Sequence, residues 1–592
     1  MPIYALTWGI SDEFGGITSS AVQRTSAFAQ YSRRRVEFLT LDPDTDPGAK
    51  KRQLVRQGWL DRRVKLRNLW HDLRRSPDRL LAKYVGNLKV PVEISDDDLL
   101  TPDGNDRTEL RDAKGKLLQT DYYRSDGSIV VSDKHDLKTS ANHNGRVITL
   151  FNSRGIIVAQ WTNASEFYYS WVDRITKGAP AVLITDSPGI GGRFRNYDRD
   201  NIVKSQVLHN FHLADPGDNS TGSIAPKWKN IVVNSDKYDV LAVLTDQQLN
   251  DLTETQLNPG NLYTVSNMFR GDLADKVQPR PAGKGIQVSR LAYEKQVDHS
   301  IKAISEVPEA SLDVFGFAHS AELEKRLHDL IHDLGVSDSV VLHGYDRNAK
   351  SYFASASFSL LPSLYEGQGL VVIESMSLGC IPIAYDINYG PASMIDHGVD
   401  GFLVPAGDIK ALSETIRHVI EKPEHELMAM RRACVVKASK YSPSRIVERW
   451  GEVLQQAIEK RPSAVAPRRR ASLDSVGISP DSVLAHVVVT DLDSPPEFAG
   501  LAWKSRKYDF YGRVTAHASV QNDRLVLSAE IPMGRFAAGS SDILDIFLDI
   551  QVEGGMQRLR VTSGDADLPN VTERVNAYST KNDNFSIELL CE

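Results

Sequence analysis

Glu366, Gly367, Gln368, Gly369 and Leu370 are followed, eight positions after the first glutamate, by Glu374. The stretch comes after an apolar run ending at Leu361 and opens a helical pattern. Glycine lets backbone N–H groups approach a ligand, and a helix N-terminus favours an anion there. One carboxylate in the loop and one in the first helical turns can hold vicinal hydroxyls, as a carboxylate holds the ribose in dinucleotide folds. Ser289, Arg290, Leu291 and Lys295 form a second candidate. Two cations five apart at the end of a parallel strand suit a diphosphate, although solvated surface cations are the plainer reading. Gly15 and Gly16 follow the first apolar run and would let a phosphate or sugar approach backbone. His209 and His212 sit three apart without a nearby Cys or carboxylate to complete a metal site. A structural histidine or a substrate contact is expected there.

Two motifs are discounted. Asp96, Asp97 and Asp98 resemble a metal-holding triplet but adjoin Leu99, Leu100, Thr101 and Pro102, so they are expected to cap or solvate a turn. Gly189, Gly191 and Gly192 lack the third glycine of a dinucleotide loop at its proper place.

These groups must be positioned by more than one core. At 592 residues the prior is three to five domains, with 41% hydrophobic and 25% charged residues, as in ordinary globular chains. The net charge of −7 argues against a whole-chain affinity for nucleic acid. Three cysteines, Cys380, Cys434 and Cys591, make no disulfide framework and fit a reducing compartment. The start of the chain lacks the pattern of a signal peptide, and no run is long and apolar enough for a membrane span. A cytoplasmic location is expected.

The −7 hides an asymmetry. Residues 50–83 carry twelve basic and three acidic side chains, a local +9. Leu66, Leu69, Trp70 and Leu73 fall at helical spacing, so part of this segment is expected to be an amphipathic helix. A solvated face competes with a surface for a polyanion or anionic lipid.

The elements follow an α/β rhythm. Ile3–Trp8 and Arg35–Thr40 read as strands around a helix at Thr18–Tyr31. Between residues 90 and 165 the pattern alternates about glycine turns at Gly115, Gly127 and Gly155, predicting an antiparallel β-meander inserted in the first α/β domain. From Gly285 to Val404 six apolar runs alternate with helical stretches, predicting a doubly wound parallel sheet. Asp298 and Asp408 are expected as helix N-caps. Residues 461–482 read as a linker, and the chain beyond alternates like a β-sandwich.

Gly15-Gly16, Ser289-Arg290-Leu291 with Lys295, Leu342-His343-Gly344-Tyr345, Glu366 with Glu374, and Gly398 with Gly401-Phe402-Leu403-Val404 occur in that order. Together they resemble the retaining GT-B glycosyltransferases that use nucleotide-activated hexoses, over about residues 1–30 and 170–460. Residues 384–391, with the inserted meander, look like the bacterial poly(glycerol-phosphate) and poly(ribitol-phosphate) wall teichoic acid α-glycosyltransferases. Relatives with the same insert glycosylate serine-rich surface proteins.

The resemblance implies an α/β, GT-B fold, with two Rossmann-like domains facing a cleft, an inserted antiparallel β-meander and a C-terminal β-rich module. Residues 1–88 and 166–275 would form the acceptor-side domain, 89–165 the meander, 276–460 the nucleotide-sugar domain, 461–482 a linker and 483–592 a module of no assigned role. Arg290 and Lys295 would neutralise the departing diphosphate, Glu374 would bind the ribose, and Glu366 would sit at the donor hexose. Gly16, Gly367, Gln368, Gly369 and Leu370 would line the diphosphate and hexose, and His343, Gly344 and Tyr345 would flank the base. His209 would lie near the transferred sugar, with His212 left as the competing choice. Arg62, Arg63 and Arg67 are expected to hold the acceptor. No metal or other cofactor is implied.

The expected donor is UDP-glucose or UDP-N-acetylglucosamine, and the expected acceptor a polyol-phosphate polymer. Peripheral contact with the anionic membrane face and self-assembly through exposed sheet edges are further expectations. The alternatives are O-glycosylation of serine-rich surface proteins, a non-catalytic glycan-binding partner, and a hydrolase- or phosphorylase-like activity.

Overall fold

Ile3–Thr7 and Val36–Thr40 are buried at every position, as parallel strands covered on both faces must be. In this computed structural model they pair in parallel, residue for residue from Ile3↔Val36. All residues are described except 13–14, 136–144, 216–223, 255–259, 270, 319, 462–468, 507–510, 522–523, 536–540, 553–554, 570–573 and 591–592. Cys591 and part of the expected linker lie outside the described residues. The chain divides into two compact units, Met1–Ser205 and Gln206–Glu592.

In the first unit Ile3–Thr7 also pairs with Ala181–Thr185, and Val36–Thr40 with Lys65–Asn68. Helix Gly16–Tyr31 is tied down by Arg24, buried and bonded through both terminal nitrogens to Asp186 at 2.7 and 2.6 Å. The inserted meander is present as five antiparallel strands in chain order, from Arg107–Arg111 to Ile157–Trp161. Its predicted turns fall at Gly115, Gly127 and Gly155, whose φ values of 80°, 81° and 73° only glycine adopts without strain. Its apolar face packs onto the Rossmann-like part of the unit, with Trp70 stacked on Tyr122 at 3.8 Å between ring centroids.

The basic segment departs from expectation. Leu66 lies on strand Lys65–Asn68, and of the four apolar positions only Leu69, Trp70 and Leu73 are helical, on Leu69–Arg75, started by Asn68 accepting from His71 N–H at 3.0 Å. Pairing with Val36–Thr40 outweighs the helical spacing. A small part of the +9 is matched from outside the segment, by Asp12 and Asp106, whereas Asp61 is already counted in it. Lys50 pairs with Asp12 at 2.7 Å, Arg63 with Asp61 at 2.8 Å and Arg74 with Asp106 at 2.8 Å. The discounted triplet caps a turn, with Asp98 accepting from Ser95 N–H and Oγ–H at 3.0 and 2.7 Å.

In the second unit Val240–Val243 pairs in parallel with Leu262–Thr264. A six-stranded all-parallel sheet follows, ordered Val340–Gly344, Ser311–Phe315, Lys284–Val288, Phe358–Leu361, Ile381–Asp386, Phe402–Pro405. Numbered along the chain this order is 3-2-1-4-5-6, the doubly wound arrangement, with its switch between the first and fourth strands. Asp408 caps helix Ile409–Glu421 as expected, accepting from Ala411 N–H at 2.9 Å. Asp298 is not a cap. The helix is Val297–Ser305, entered through Gln296 at φ 43°, and Asp298 instead bonds Lys302 one turn on at 2.9 Å.

The expected linker is shorter than 461–482. Ala471–Ile478 is a strand, antiparallel to Ser482–Val489, and its arginine- and serine-rich surroundings conceal buried Ala471, Leu473 and Val476. The terminal module is a single ten-stranded sheet rather than two stacked sheets. The strands that end its path, Tyr511–Thr515 and His517–Gln521, are joined through Ala516 alone, so the sheet curls into a nearly closed barrel. Trp503, Leu544, Ile546, Leu548 and Ile550 fill it. The barrel is fastened within its unit by buried Arg558, 2.6 Å from Asp549 and 3.4 Å from Asp236, and by Lys504 at 3.3 Å from Asn234.

Candidate active site

At the switch of the six-stranded sheet, the loops after strands Lys284–Val288 and Phe358–Leu361 leave side by side, because these strands are paired. Ligands of doubly wound sheets bind at such carboxyl-end crevices. The loops are laced together, with Leu364 N–H donating to Glu294 O at 2.9 Å. Lys295 Nζ lies 2.5 Å from Glu366 Oε1, and Ser363 Oγ donates to the same oxygen at 2.9 Å. Residues 71 apart in sequence therefore form one half-buried ion pair. Arg290 is nearly half exposed and bonds Glu294 at 2.7 Å.

Helix Leu370–Ser377 starts from Gly369 at φ 78°, with no capping side chain. Its first-turn amides and dipole thus face the loop that carries Glu366. Glu374, in the second turn, is buried and ion-paired with Lys350. Lys350 was not a sequence-level candidate. It lies in a polar stretch, Arg347-Asn348-Ala349-Lys350, and only the approach of the 3-10 helix Ala349–Ala354 brings it to Glu374.

The loop 366–369 is fixed by backbone contacts. Glu366 N–H donates to Asn388 O at 3.2 Å, and Tyr389 N–H to Glu366 O at 2.9 Å. A Cβ on Gly367 would lie 2.0 Å from His209 O, so no other residue fits without moving main chain. Gln368 is held by a side-chain bond. It is buried, and its Oε1 accepts from Asn267 N–H at 2.9 Å, so its side chain fastens the loop.

The two histidines separate cleanly. His212 is fully buried, its ring parallel to Tyr389 with centroids 5.8 Å apart. Tyr389 Oη in turn donates to Asp251 at 2.6 Å. His209 is half-buried on the loop whose carbonyl meets Gly367. Of the two, only His209 reaches the surface.

Burial pushes the His212 imidazole down to about 4. Unfolding returns it to about 6.5, so between these values the unfolded chain binds the extra proton. Stability is then complete above about pH 6.5 and is lost as pH falls toward 4, by about 3 kcal/mol in total. Asp251, raised by burial, acts in the opposite sense. We expect the thermal midpoint to drop across this window, and the drop to become shallower in His212→Gln. Identical slopes in the two proteins would remove His212 from this role.

His343 and Gly344 end the strand beside Ser311–Phe315, and Tyr345 follows it. His343 Nε2 is 2.7 Å from Asp313 Oδ1, and its ring stacks on Phe315 at 4.5 Å between centroids. Tyr345 is largely exposed. Gly16 opens helix Gly16–Tyr31 of the first unit, and a Cβ there would meet nothing within 4 Å. Of the acceptor candidates, Arg62 is exposed, Arg63 is paired with Asp61, and Arg67 is part-buried against Asp72 at 2.6 Å and Glu37 at 3.7 Å. Arg67 is thus already paired with two carboxylates. Among the described residues no three His, Cys, Asp or Glu side chains gather as a metal-ligand set, and no helix is long and apolar enough to cross a membrane.

The sequence profile of the family Glycosyl transferases group 1 matches residues 278–438. The chain is 23% identical to the poly(glycerol-phosphate) alpha-glucosyltransferase of Bacillus subtilis (strain 168), over 99% of this chain and 96% of that protein. It is 27% identical to the GtfA subunit of the UDP-N-acetylglucosamine–peptide N-acetylglucosaminyltransferase of Streptococcus pneumoniae serotype 4, over 64% of this chain and 87% of that protein. A crystal structure of a mutant S. aureus TarM in complex with Fondaparinux, alpha-GlcNAc-glycerol and UDP superposes with a TM-score of 0.56 at 19% identity, over 76% of this chain and 99% of that one. The fold is GT-B, with two Rossmann-like domains, an antiparallel meander and a β-rich terminal module.

Proposed function

We propose that this chain, a GT-B protein related to bacterial teichoic-acid glycosyltransferases, moves glucose or N-acetylglucosamine from a UDP-sugar to a poly(polyol-phosphate) chain. The observation that carries the reading is the Lys295–Glu366 pair at the sheet switch, beside a glycine-started helix N-terminus. Glycosyl transfer builds positive charge on the sugar and negative charge on the leaving diphosphate. Lys295, Arg290 and the helix N-terminus stabilise the second, and Glu366 the first. Glu374 takes the ribose hydroxyls, with Lys350 holding its carboxylate in place. The departing phosphate assists deprotonation of an acceptor hydroxyl on the same face, which retains the anomeric configuration. The polyol-phosphate acceptor is favoured because the similarity to the B. subtilis enzyme runs through almost the whole of both chains.

The second reading is transfer to serine-rich protein, supported by the similarity to the S. pneumoniae subunit. Incubation with each UDP-sugar and, separately, poly(glycerol phosphate), poly(ribitol phosphate) and a serine-rich polypeptide distinguishes the two. We expect UDP release to rise at least tenfold over the rate in water with a polyol-phosphate polymer alone. A rise with the polypeptide alone would replace the first reading by the second.

A further inference from the structure

A cavity of about 520 Å³ opens on the terminal barrel, remote in sequence from every residue assigned above. Its floor is Arg560, half-buried and donating to Phe585 O at 2.7 Å, Asp545 Oδ1 at 2.8 Å and Ser586 Oγ at 2.9 Å. Asp545 also receives Arg506, through Nη2 at 2.6 Å and Nε at 3.1 Å. Arg506 is 46% exposed and stands at the mouth. The opposite wall is the turn after strand Val575–Ser579. Thr580 N–H donates to Asn584 O and Asp583 N–H to Thr580 O, both at 2.9 Å, which fixes the turn and presents exposed Lys581 and Asn582. Asp583 is bonded back to Ser579.

The lining therefore carries three cations against one carboxylate, and the rest is amide, hydroxyl and one phenol, Tyr578. Every lining residue carries a polar group, and their aliphatic stems and the Tyr578 ring supply the apolar surface. The lining suits a ligand that alternates an anionic phosphate with hydroxyl groups. Arg506 and Arg560 are bonded to Asp545 and still leave a net positive lining, exposed Lys581 adds a cation that suits a phosphate, and Asn and Thr match hydroxyls. The volume lies within the range of small-molecule sites and holds a short length of such a chain.

We propose that this cavity is an accessory site for a phosphodiester of the acceptor polymer. The identity of the polymer rests on the function proposed above. The Arg558 and Lys504 contacts hold the barrel against the segment around Asn234 and Asp236, so the site keeps one position within its unit. A polymer held at this site presents its neighbouring repeats at raised effective concentration.

The test uses the full chain carrying Arg506→Glu with Lys581→Glu, and Lys581→Glu alone as a variant confined to an exposed turn. Mobility is measured in gels containing poly(glycerol phosphate) or neutral dextran, without donor. Transfer is measured with long polymer and with a dimer of its repeat. We expect retardation by poly(glycerol phosphate) and not by dextran, weakened about tenfold in the double variant and less in the single one. KM for long polymer should rise by a similar factor, while KM for the dimer and for the UDP-sugar stays unchanged. Equal retardation of wild type and both variants, or equal retardation by dextran, would overturn the site. Polymer bound here but never glycosylated would leave the site standing and remove the acceptor assignment. Transfer with unaltered KM in the variants would do the reverse.

Discussion

Glu366→Ala is expected to lower kcat by about 10²–10³-fold with the fold intact. The carboxylate is held from three directions, by Lys295 Nζ at 2.5 Å, by Ser363 Oγ at 2.9 Å and by its own backbone bonds to residues 388 and 389. A charge fixed in this way costs nothing to reorganise when the sugar becomes cationic. Truncation removes the counter-charge of Lys295, so, on the proposed role of Lys295 at the diphosphate, UDP should bind as well as before or more tightly. The loss should therefore fall on kcat and not on UDP affinity. Steady-state rates at saturating donor, UDP binding by calorimetry and a thermal melt measure the three quantities. Retention of most of kcat would remove Glu366 from the reaction. An equal loss of UDP affinity would make its role one of binding.

Gly367→Ala is expected to cost about 10²-fold in kcat/KM. The added Cβ would meet only main chain, His209 O at 2.0 Å, His209 C at 2.7 Å and Asn210 Cα at 2.9 Å. Neither side can yield by turning a side chain. The loop must move by about 1 Å, carrying Glu366 and the start of helix Leu370–Ser377 off their positions, and misplacement of that size has a cost of this order. Gly16→Ala is the counterpart. Nothing lies within 4 Å of its Cβ, so its melting temperature should equal that of the wild type. A loss of donor affinity in Gly16→Ala would then report contact with donor, not crowding. Full activity in Gly367→Ala would show that the loop adapts and that its fixed position is not required.

The sequence by itself determined the local architecture. The six parallel strands between Lys284 and Pro405 were legible as short apolar runs bounded by glycines or polar caps, most continuous at the central Phe358–Leu361 and Ile381–Asp386, which are buried on both faces for nearly their whole length. The meander turns were legible because Gly115, Gly127 and Gly155 occupy conformations that other residues avoid. Candidate cations and carboxylates were legible as residue types in glycine-rich loops after strands.

What only the tertiary structure decided is which of these groups meet. Lys295 reaches Glu366, and Lys350 reaches Glu374, because the strand order brings distant loops together, and no local pattern encodes a 71-residue or 24-residue separation. Leu66 became a strand residue because Val36–Thr40 offered backbone partners that a local helical spacing cannot outweigh. Ala471–Ile478 became the first strand of the barrel through pairing with Ser482–Val489, against a composition that reads as linker. His209 and His212 carry the same chemistry in sequence. Burial beside Tyr389 makes His212 a structural group, whereas His209 is only half-buried. Residue type sets which chemistry is available, and long-range packing sets which atoms come within bonding distance of one another.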